Sequence, residues 1–324
     1  MMTMKTTYSS SEKRLADVLH DARINTVEPP KLIASESNDV WQVDDFFIRI
    51  CWRGDEQRMF RETIVARALP DSIPYPEIVR IGELGNCSWM ITKRVLGQPL
   101  SIVWSTLTNQ EKIDSARQYA RLLKNLHAWT PPQEVVSLLE KNNDNFVTAQ
   151  AIVGTDVNPL PINRVLTVIE ALRTLSNIDT ELLDKITTKI LTIKPQDPLI
   201  AEGLVVVHGD ASMTNILWHK NKITALLDFE WVRMGPRDLE LVAILGFMRE
   251  KFTDKKEGYD LIIVALKKEY PELFKFPNLL DRLWLYEAAY GLRQLFLNLP
   301  KKYALATRRL QKIFDGNDNS DLLM

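Results

Sequence analysis

The sequence predicts an α+β protein in two parts, a small β-rich region over residues 1–95 and a large, mainly helical region over residues 96–324. Two observations support this division. Before about residue 95, short segments alternate apolar and polar side chains, which is typical of half-buried strands. From about residue 109 onward, apolar side chains recur every three or four positions, as on one face of a helix. Gly97 and Pro99 lie where the strand pattern gives way to the helical pattern, so we expect two lobes joined near residues 94–98.

The N-terminal region is predicted to contain a helix, strands, a second helix and a hairpin, in that order. The first helix covers residues 9–23, and the second covers residues 59–69 and ends before two prolines. Alternating patterns predict strands in LIASES, DVWQV and FFIRICW, and a hairpin from EIVRIG and CSWMITKRV.

The C-terminal region is predicted to be helical except over residues 204–230. There GLVVVH indicates a short strand, and NILWHKNKITALLDF indicates two strands around a turn at residues 219–222. After Pro236 the helical pattern returns and continues to about residue 313.

The composition excludes several classes of protein. The 324 residues include 41 basic and 42 acidic side chains, and a net charge of −1 argues against a nucleic-acid partner. Two cysteines are too few for a disulfide scaffold, and four histidines leave little material for a multi-histidine metal centre. No apolar segment approaches the ~20 residues that cross a bilayer, and the N-terminus lacks the apolar stretch of a secretory signal. We expect a cytoplasmic protein that binds neither nucleic acid nor a membrane.

Residues 205–241 carry the pattern with the clearest chemistry. His208, Asp210 and Asn215 follow an apolar strand, and Asp228 ends the next apolar hairpin. Phosphoryl transfer needs a carboxylate that orients the acceptor hydroxyl and takes its proton. It also needs oxygen ligands that hold Mg²⁺ on the nucleotide phosphates, and an amide and a second carboxylate suit this hard cation.

At these residues the chain resembles the aminoglycoside phosphotransferase and choline kinase family, a small-molecule branch of the bilobal protein-kinase-like fold. HGD-x4-N and DFE stand where protein kinases have HRD-x4-N and DFG. The resemblance covers roughly residues 30–300. It implies ATP (or another nucleoside triphosphate) and Mg²⁺ as cofactors and a small-molecule hydroxyl as acceptor. It further implies that Asp210 is the catalytic base, that Asn215 and Asp228 bind Mg²⁺, and that His208 shapes the loop.

The same resemblance places nucleotide-binding residues in the small lobe. Glu62 matches the glutamate of the ion-pairing helix, but its expected lysine partner is replaced by Arg49. Arginine can pair with Glu62 and bind phosphates as a planar fork. The alternative is a surface arginine on an edge strand. The phosphate loop would be the glycine-free turn at residues 34–38, where the Ser35 and Ser37 hydroxyls contact phosphate or simply form a polar turn.

The adenine site would lie under the same sheet. Val40 and Phe47 are expected to form its roof, although Phe47 could instead belong to the core. Lys93, Arg94 and Val95 are expected to form the hinge whose backbone binds the purine edge.

For three further features, a structural role stands beside or in place of a role in catalysis or binding. His127 is expected to be a helix-end or packing residue rather than a base, and the late aromatics between residues 284 and 296 are expected in the core. The resemblance suggests that Asp238 braces the catalytic loop, whereas its place early in a helix also favours an acid.

The first function predicted is an ATP-dependent small-molecule kinase; the alternative is a catalytically silent nucleotide-binding protein on the same fold. Acids and bases are interleaved over residues 255–293, so we expect an acceptor with at most one or two positive charges. A metal-dependent hydrolase using His208 and Asp210 would need more ligands than the sequence offers at suitable spacing. The identity of the acceptor and the oligomeric state are left open.

Overall fold

The fold was analysed in a computed structural model of the chain. It describes residues 10–35, 38–52, 56–85, 87–140, 148–149, 161–175, 178–193, 203–251, 258–297 and 303–315.

The small lobe is built on a five-stranded antiparallel sheet. Its strands are β1 (Lys31–Ser35), β2 (Asp39–Val43), β3 (Phe46–Cys51), β4 (Ile78–Leu84) and β5 (Cys87–Lys93). They lie in the order β1-β2-β3-β5-β4. The hairpin formed by β4 and β5 and the three preceding strands confirm the alternating sequence pattern.

Two helices accompany this sheet. Helix α1 (Ser11–Ala22) packs on one face, where Leu15 and Val18 join Ile48 and Ile50 in a buried cluster. Helix α2 (Glu56–Ala68) lies on the other face and begins three residues earlier than predicted. Its first turn is polar, so apolar periodicity alone does not reveal it.

The large lobe is mainly helical. Its first helices are α3 (Leu100–Val103), α4 (Asn109–Ala128), α5 (Gln133–Glu140), α6 (Ile162–Arg173) and α7 (Thr180–Ile193). The later helices are α8 (Glu240–Lys251), α9 (Asp260–Glu269), α10 (Leu279–Leu297) and α11 (Tyr303–Phe314). Helix α4 starts where the sequence predicts, because Thr108 and Glu111 form a capping box there.

Two small sheets lie beneath the junction of the lobes. β6 (Gln98–Pro99), β8 (Ile216–His219) and β9 (Lys222–Leu226) form one of them. β7 (Val205–Val207) and β10 (Arg233–Gly235) form the other. These strands carry the loops predicted to be catalytic. The bilobal α+β arrangement is therefore confirmed, while the exact boundary at residues 95 and 96 stays a prediction. In the described ranges, no helix has the length and apolar character needed to cross a membrane.

Candidate active site

The loop after β7 brings His208, Gly209 and Asp210 to the junction of the lobes. Gly209 has φ +82°, a backbone conformation that residues with a side chain rarely adopt. A Cβ atom here would lie 2.6 Å from the Trp231 carbonyl oxygen. Both constraints require glycine at position 209, because the backbone of the HGD motif passes close to the backbone of Trp231.

Asp210 lies beside Asn215, as the motif spacing predicts. The Asn215 Nδ2 group donates to the Asp210 Oδ2 atom at 3.1 Å and to the Asp210 carbonyl at 2.8 Å. Burial and the nearby charge of Asp228 raise the pKa of Asp210 to about 7, although the Asn215 hydrogen bond opposes the shift. The carboxylate is therefore close to half ionised near neutral pH, which suits a general base.

His208 is buried and shapes the loop. The Asp210 amide donates to its Nδ1 atom at 3.2 Å, which leaves Nε2 to donate to the Leu227 carbonyl at 2.9 Å. Burial lowers the pKa of His208, so the imidazole is neutral and links the loop to the end of β9. This arrangement is consistent with a structural role and provides no proton acceptor to a substrate.

The carboxylate that braces this loop is Glu240 rather than Asp238. Glu240 Oε1 accepts hydrogen bonds from the backbone amides of His208 and Gly209, the latter at 3.3 Å. Burial alone would raise the pKa of Glu240, but the interactions with His127 and with the His208 amide lower it. His127 Nε2 lies 3.6 Å from Glu240, and its Nδ1 atom is 2.9 Å from the Tyr270 hydroxyl.

Asp238 anchors helix α10 instead, which corrects the role suggested by sequence. Its two carboxylate oxygens accept from Arg282 at 2.6 and 2.9 Å. The Tyr286 hydroxyl also donates to it, at 3.2 Å. A short 3₁₀ turn over Arg237–Leu239 precedes α8, so Asp238 and Glu240 contact different parts of the lobe.

The hairpin β8–β9 brings Asp228 close to Asn215. The Leu227 amide donates to the Asn215 carbonyl at 2.7 Å, which ties the start of one strand to the end of the other. Asp228 then has φ +66°, an uncommon conformation for a residue with a side chain. Its carboxylate Oδ1 accepts from Arg49 Nη1 at 3.0 Å.

Arg49 reaches the large lobe from strand β3 and also pairs with Glu62, as expected. Glu62 is fully buried, and its other oxygen accepts from the Tyr75 hydroxyl at 2.8 Å and the Phe229 amide at 3.2 Å. Burial by itself would lower the pKa of Arg49, but Asp228 and other nearby acidic groups raise it. Arg49 is therefore a fixed cation between two carboxylates rather than a surface arginine.

The donors at Asn215 and Asp228 fit Mg²⁺ in chemistry. Nδ2 of Asn215 is used for Asp210, which leaves its amide oxygen as a ligand, and the Asp228 side chain is 34% exposed. An amide oxygen and a carboxylate oxygen are ligands that Mg²⁺ prefers. Within the described ranges, three or more histidine, cysteine or acidic side chains do not cluster as a metal site.

The predicted phosphate loop is only partly described. Ser35 donates its hydroxyl to Asp39 at 2.6 Å, and Asp39 is in turn paired with Arg14, so Ser35 already has a structural partner. Ser37 lies outside the described residues. Asn38 reaches across to the large lobe, where its Nδ2 atom donates to Glu230 at 3.3 Å.

Val40 and Phe47, which are predicted to cover the adenine, lie on the same face of the sheet as Arg49. Val40 pairs with Arg49 across β2 and β3, and Phe47 lies two residues before Arg49, so all three share a face. Phe47 is half-buried and lies outside the main apolar clusters.

The three predicted hinge residues differ in whether their backbone amides already donate a hydrogen bond. The amides of Lys93 and Arg94 donate to backbone carbonyls at 2.9 and 2.8 Å, and the Lys93 ammonium pairs with Glu77 on the surface. Among the described residues, the amide of Val95 has no hydrogen-bond partner, so it is an unpaired donor in the segment predicted to be the hinge.

Sequence reasoning missed three residues of this site: Glu240, Tyr75 and Tyr119. Tyr75 supports Glu62, and Tyr119 donates to the Ala211 carbonyl beside Asp210. Tyr119 falls on the apolar face of α4, which is the only sequence signal that could have indicated its burial.

A base candidate, two oxygen donors suited to a metal and an arginine that pairs with one carboxylate of each lobe are the features of a kinase-like phosphotransferase. The model of the phosphotransferase enzyme family, APH, matches residues 29–261. The chain therefore belongs to that family, which confirms the resemblance and the prediction of a phosphotransferase. No curated protein matches the sequence.

Several solved structures have the same fold. An aminoglycoside 2'-phosphotransferase-IIIa in complex with GDP has a TM-score of 0.70 and 17% identity, over 95% of this chain and 100% of that one. The complex of APH(2'')-IIa with streptomycin and ATP has a TM-score of 0.63 and 16% identity, over 98% and 100% of the two chains. APH(4)-Ia with ADP and hygromycin B has a TM-score of 0.62 and 17% identity, over 95% and 99%.

Proposed function

We propose that this phosphotransferase is an ATP-dependent kinase that transfers the γ-phosphoryl group to a hydroxyl of a small molecule. One observation carries the proposal: hydrogen bonds join Asp210 to Asn215 and Asp228 to Arg49 at the junction of the two lobes. Membership of the family and the nucleotides bound by proteins of the same fold support it.

Asp210 is the proposed base. Its pKa of about 7 leaves a large ionised fraction near neutral pH, and the Asn215 hydrogen bond fixes one carboxylate oxygen. The ionised form would accept the proton of the acceptor hydroxyl while holding its oxygen toward the nucleotide. Phosphoryl transfer depends mainly on such positioning and on neutralising phosphate charge.

The nucleotide would lie between the sheet and the catalytic loop. Arg49 would bind its phosphates, Val40 and Phe47 would cover the base, and the Val95 amide would bind the purine edge. Asn215 and Asp228 would hold Mg²⁺, which supplies charge neutralisation for the phosphates when bound. Ser35 and Ser37 remain proposed loop contacts, and the reaction would take place in the cytoplasm.

We also infer that the acceptor carries at most one or two positive charges. Polycations need several unpaired carboxylates when they leave water. Glu269 is already paired with Arg121 at 2.9 Å, and Glu272 lies 3.9 Å from Lys124. These acids of the large lobe are neutralised by neighbouring bases, so polycationic compounds such as kanamycin would be poor acceptors.

The test is a product-resolved screen of the purified full chain with Mg-ATP. The acceptor panel contains aminoglycosides, other antibiotics, amino alcohols, sugars and hydroxy acids, and mass spectrometry detects the phosphorylated compound. We expect acceptor-dependent ADP formation with a matching phosphorylated product. Mg-ATP binding without turnover on any acceptor would contradict the proposal and favour the silent nucleotide-binding alternative.

A further inference from the structure

Three buried arginines from different elements lie beside the catalytic loop. Arg61 is on α2, Arg233 is on β10 and Arg293 is on α10, and we call them the arginine cluster. The Arg61 guanidinium donates to the Glu230 carbonyl, and the Arg293 guanidinium lies 5.4 Å from the centre of the Trp231 ring. Two members of the cluster therefore contact the segment that directly follows Asp228, and the third lies on the strand after it.

Arg233 is the unusual member of the cluster. Only 9% of its surface is exposed, and no residue in the described ranges forms a hydrogen bond or ion pair with its side chain. Its pKa is lowered to about 10, mainly by burial; Glu240 opposes this shift, and the positive charges of Arg61 and Arg293 add to it. No ion pair joins Glu240 to Arg233; Glu240 Oε1 accepts from the catalytic loop amides, and its Oε2 atom has no hydrogen-bond partner among the described residues.

A largely buried guanidinium without a counterion is unfavourable, because it loses most of its hydration and gains no charged partner. Native structures almost always pair such groups, so an unpaired one requires an explanation. The planar guanidinium fork binds carboxylate and phosphate groups in a bidentate manner. The missing partner of Arg233 is therefore best explained by an anion that a bound molecule supplies.

The position of the arginine cluster indicates which bound molecule supplies this anion. Trp231 contacts the backbone of Gly209, which directly precedes the proposed base Asp210. We propose that the arginine cluster binds a carboxylate or phosphate group of the acceptor, whose hydroxyl then lies at Asp210. This inference rests on the proposed kinase function and names its substrate class: a small hydroxy acid or a phosphorylated hydroxyl compound. Such acceptors carry few positive charges. They therefore do not need the unpaired carboxylates that a polycationic acceptor would need.

The binding part is tested without turnover. Inorganic phosphate is titrated calorimetrically into the full chain saturated with Mg²⁺ and a non-hydrolysable ATP analogue, which occupies the nucleotide site. We expect Arg233→Gln to weaken phosphate binding by about tenfold or more and Arg233→Lys to weaken it less. Arg67→Gln, an exposed arginine on α2, is the control and should bind as wild type does. Equal binding by wild type and Arg233→Gln would overturn the site.

The acceptor part is tested with matched pairs of compounds. For each hydroxy acid that is phosphorylated, the neutral amide is the comparison, and we expect wild type to prefer the acid in kcat/KM by about tenfold. Arg233→Gln should lose this preference while keeping the KM for ATP. A preference that survives in both Arg233→Gln and Arg233→Lys would overturn the assignment.

The two proposals fail differently. If phosphate binds at Arg233 but no acceptor is ever phosphorylated, the kinase proposal fails and the anion site stands without its acceptor. If only neutral acceptors are phosphorylated and Arg233→Gln is fully active on them, the kinase proposal stands and the anionic acceptor is refuted. Melting temperatures of each variant show that it is folded before either result is used.

Discussion

Arg49 Nη1 lies 3.0 Å from Asp228 Oδ1, while Nη2 of the same guanidinium pairs with Glu62. One arginine of the small lobe is thus bound to the helix beside it and to the proposed metal ligand of the large lobe. Lysine, a point charge on a flexible stem, would not present two separate nitrogens in this fixed geometry. Arginine, which stands here in place of the lysine expected from the family resemblance, therefore has a structural role. Its planar guanidinium connects the two lobes.

Replacement of Arg49 should weaken the use of ATP. Arg49→Ala removes a charge-assisted contact to phosphate, so we expect the KM for ATP to rise by about 10- to 100-fold and kcat to fall. Arg49→Lys should recover part of this loss, because the charge returns without the fork. Steady-state kinetics with varied ATP measures both. Arg67→Ala on α2 is the exposed control, and unchanged kinetics in Arg49→Ala would mean that another group holds the phosphates.

Removal of the proposed metal ligands should change how ATP binding depends on Mg²⁺. Asp228→Ala removes an anionic ligand, so we expect nucleotide affinity to become insensitive to Mg²⁺. Asn215→Ala removes a neutral ligand and should have a smaller effect in the same direction. Calorimetric titration of ATP with Mg²⁺ and with EDTA tests both variants. If Asp228→Ala retains the Mg²⁺ dependence of wild type, the assignment of the ligand is wrong.

The buried Asp210 should make stability depend on pH. Its pKa is about 7 in the folded protein and about 3.9 when unfolded, so the folded state holds the proton more tightly. This contribution to stability is full below about pH 4 and is lost as the pH rises through 7. Asp210→Asn stays neutral, so its gain in the free energy of unfolding over wild type should grow across this range. We expect on the order of 4 kcal/mol at pH 8, at about 1.4 kcal/mol for each pKa unit of the shift.

Urea denaturation in EDTA at pH 4.5 and pH 8 measures this difference. EDTA is needed because a bound cation would favour the ionised carboxylate. The same difference between variant and wild type at both pH values would show that Asp210 is solvated in the folded protein.

Glu240 and Asp238 should respond differently to substitution. Glu240→Ala removes the acceptor for the His208 and Gly209 amides, so we expect kcat to fall by about tenfold or more with a smaller change in the KM for ATP. Asp238→Asn breaks a buried ion pair with Arg282 and should lower the free energy of unfolding by roughly 3–5 kcal/mol. Kinetics and urea denaturation of both variants separate these effects. A catalytic loss confined to Asp238→Asn would reverse the two roles.

Much of the active site is predictable because it is local in sequence. The HGD-x4-N spacing, the hairpin that ends at Asp228 and the alternation around Arg49 each depend on neighbours within a few residues. Their geometry follows from strand periodicity. The helix start at Glu56 was missed for the opposite reason, since its polar first turn has no apolar period.

The remaining features depend on contacts between distant elements. Asp238 and Glu240 are two residues apart, and only the 3₁₀ turn before α8 decides which one faces the catalytic loop. The arginine cluster brings together side chains from α2, β10 and α10. No spacing in the sequence predicts that Arg61, Arg233 and Arg293 lie near one another. Such features become visible only when side chains are placed in three dimensions.

The role of Asp210 as the base is tested most directly by Asp210→Asn, assayed for ATP binding and for phosphoryl transfer on an acceptor that wild type uses. We expect nearly unchanged Mg-ATP affinity and a turnover reduced by ~10²–10⁴, the usual contribution of acid–base catalysis. Near-native turnover by Asp210→Asn would contradict the assignment of Asp210 as the base.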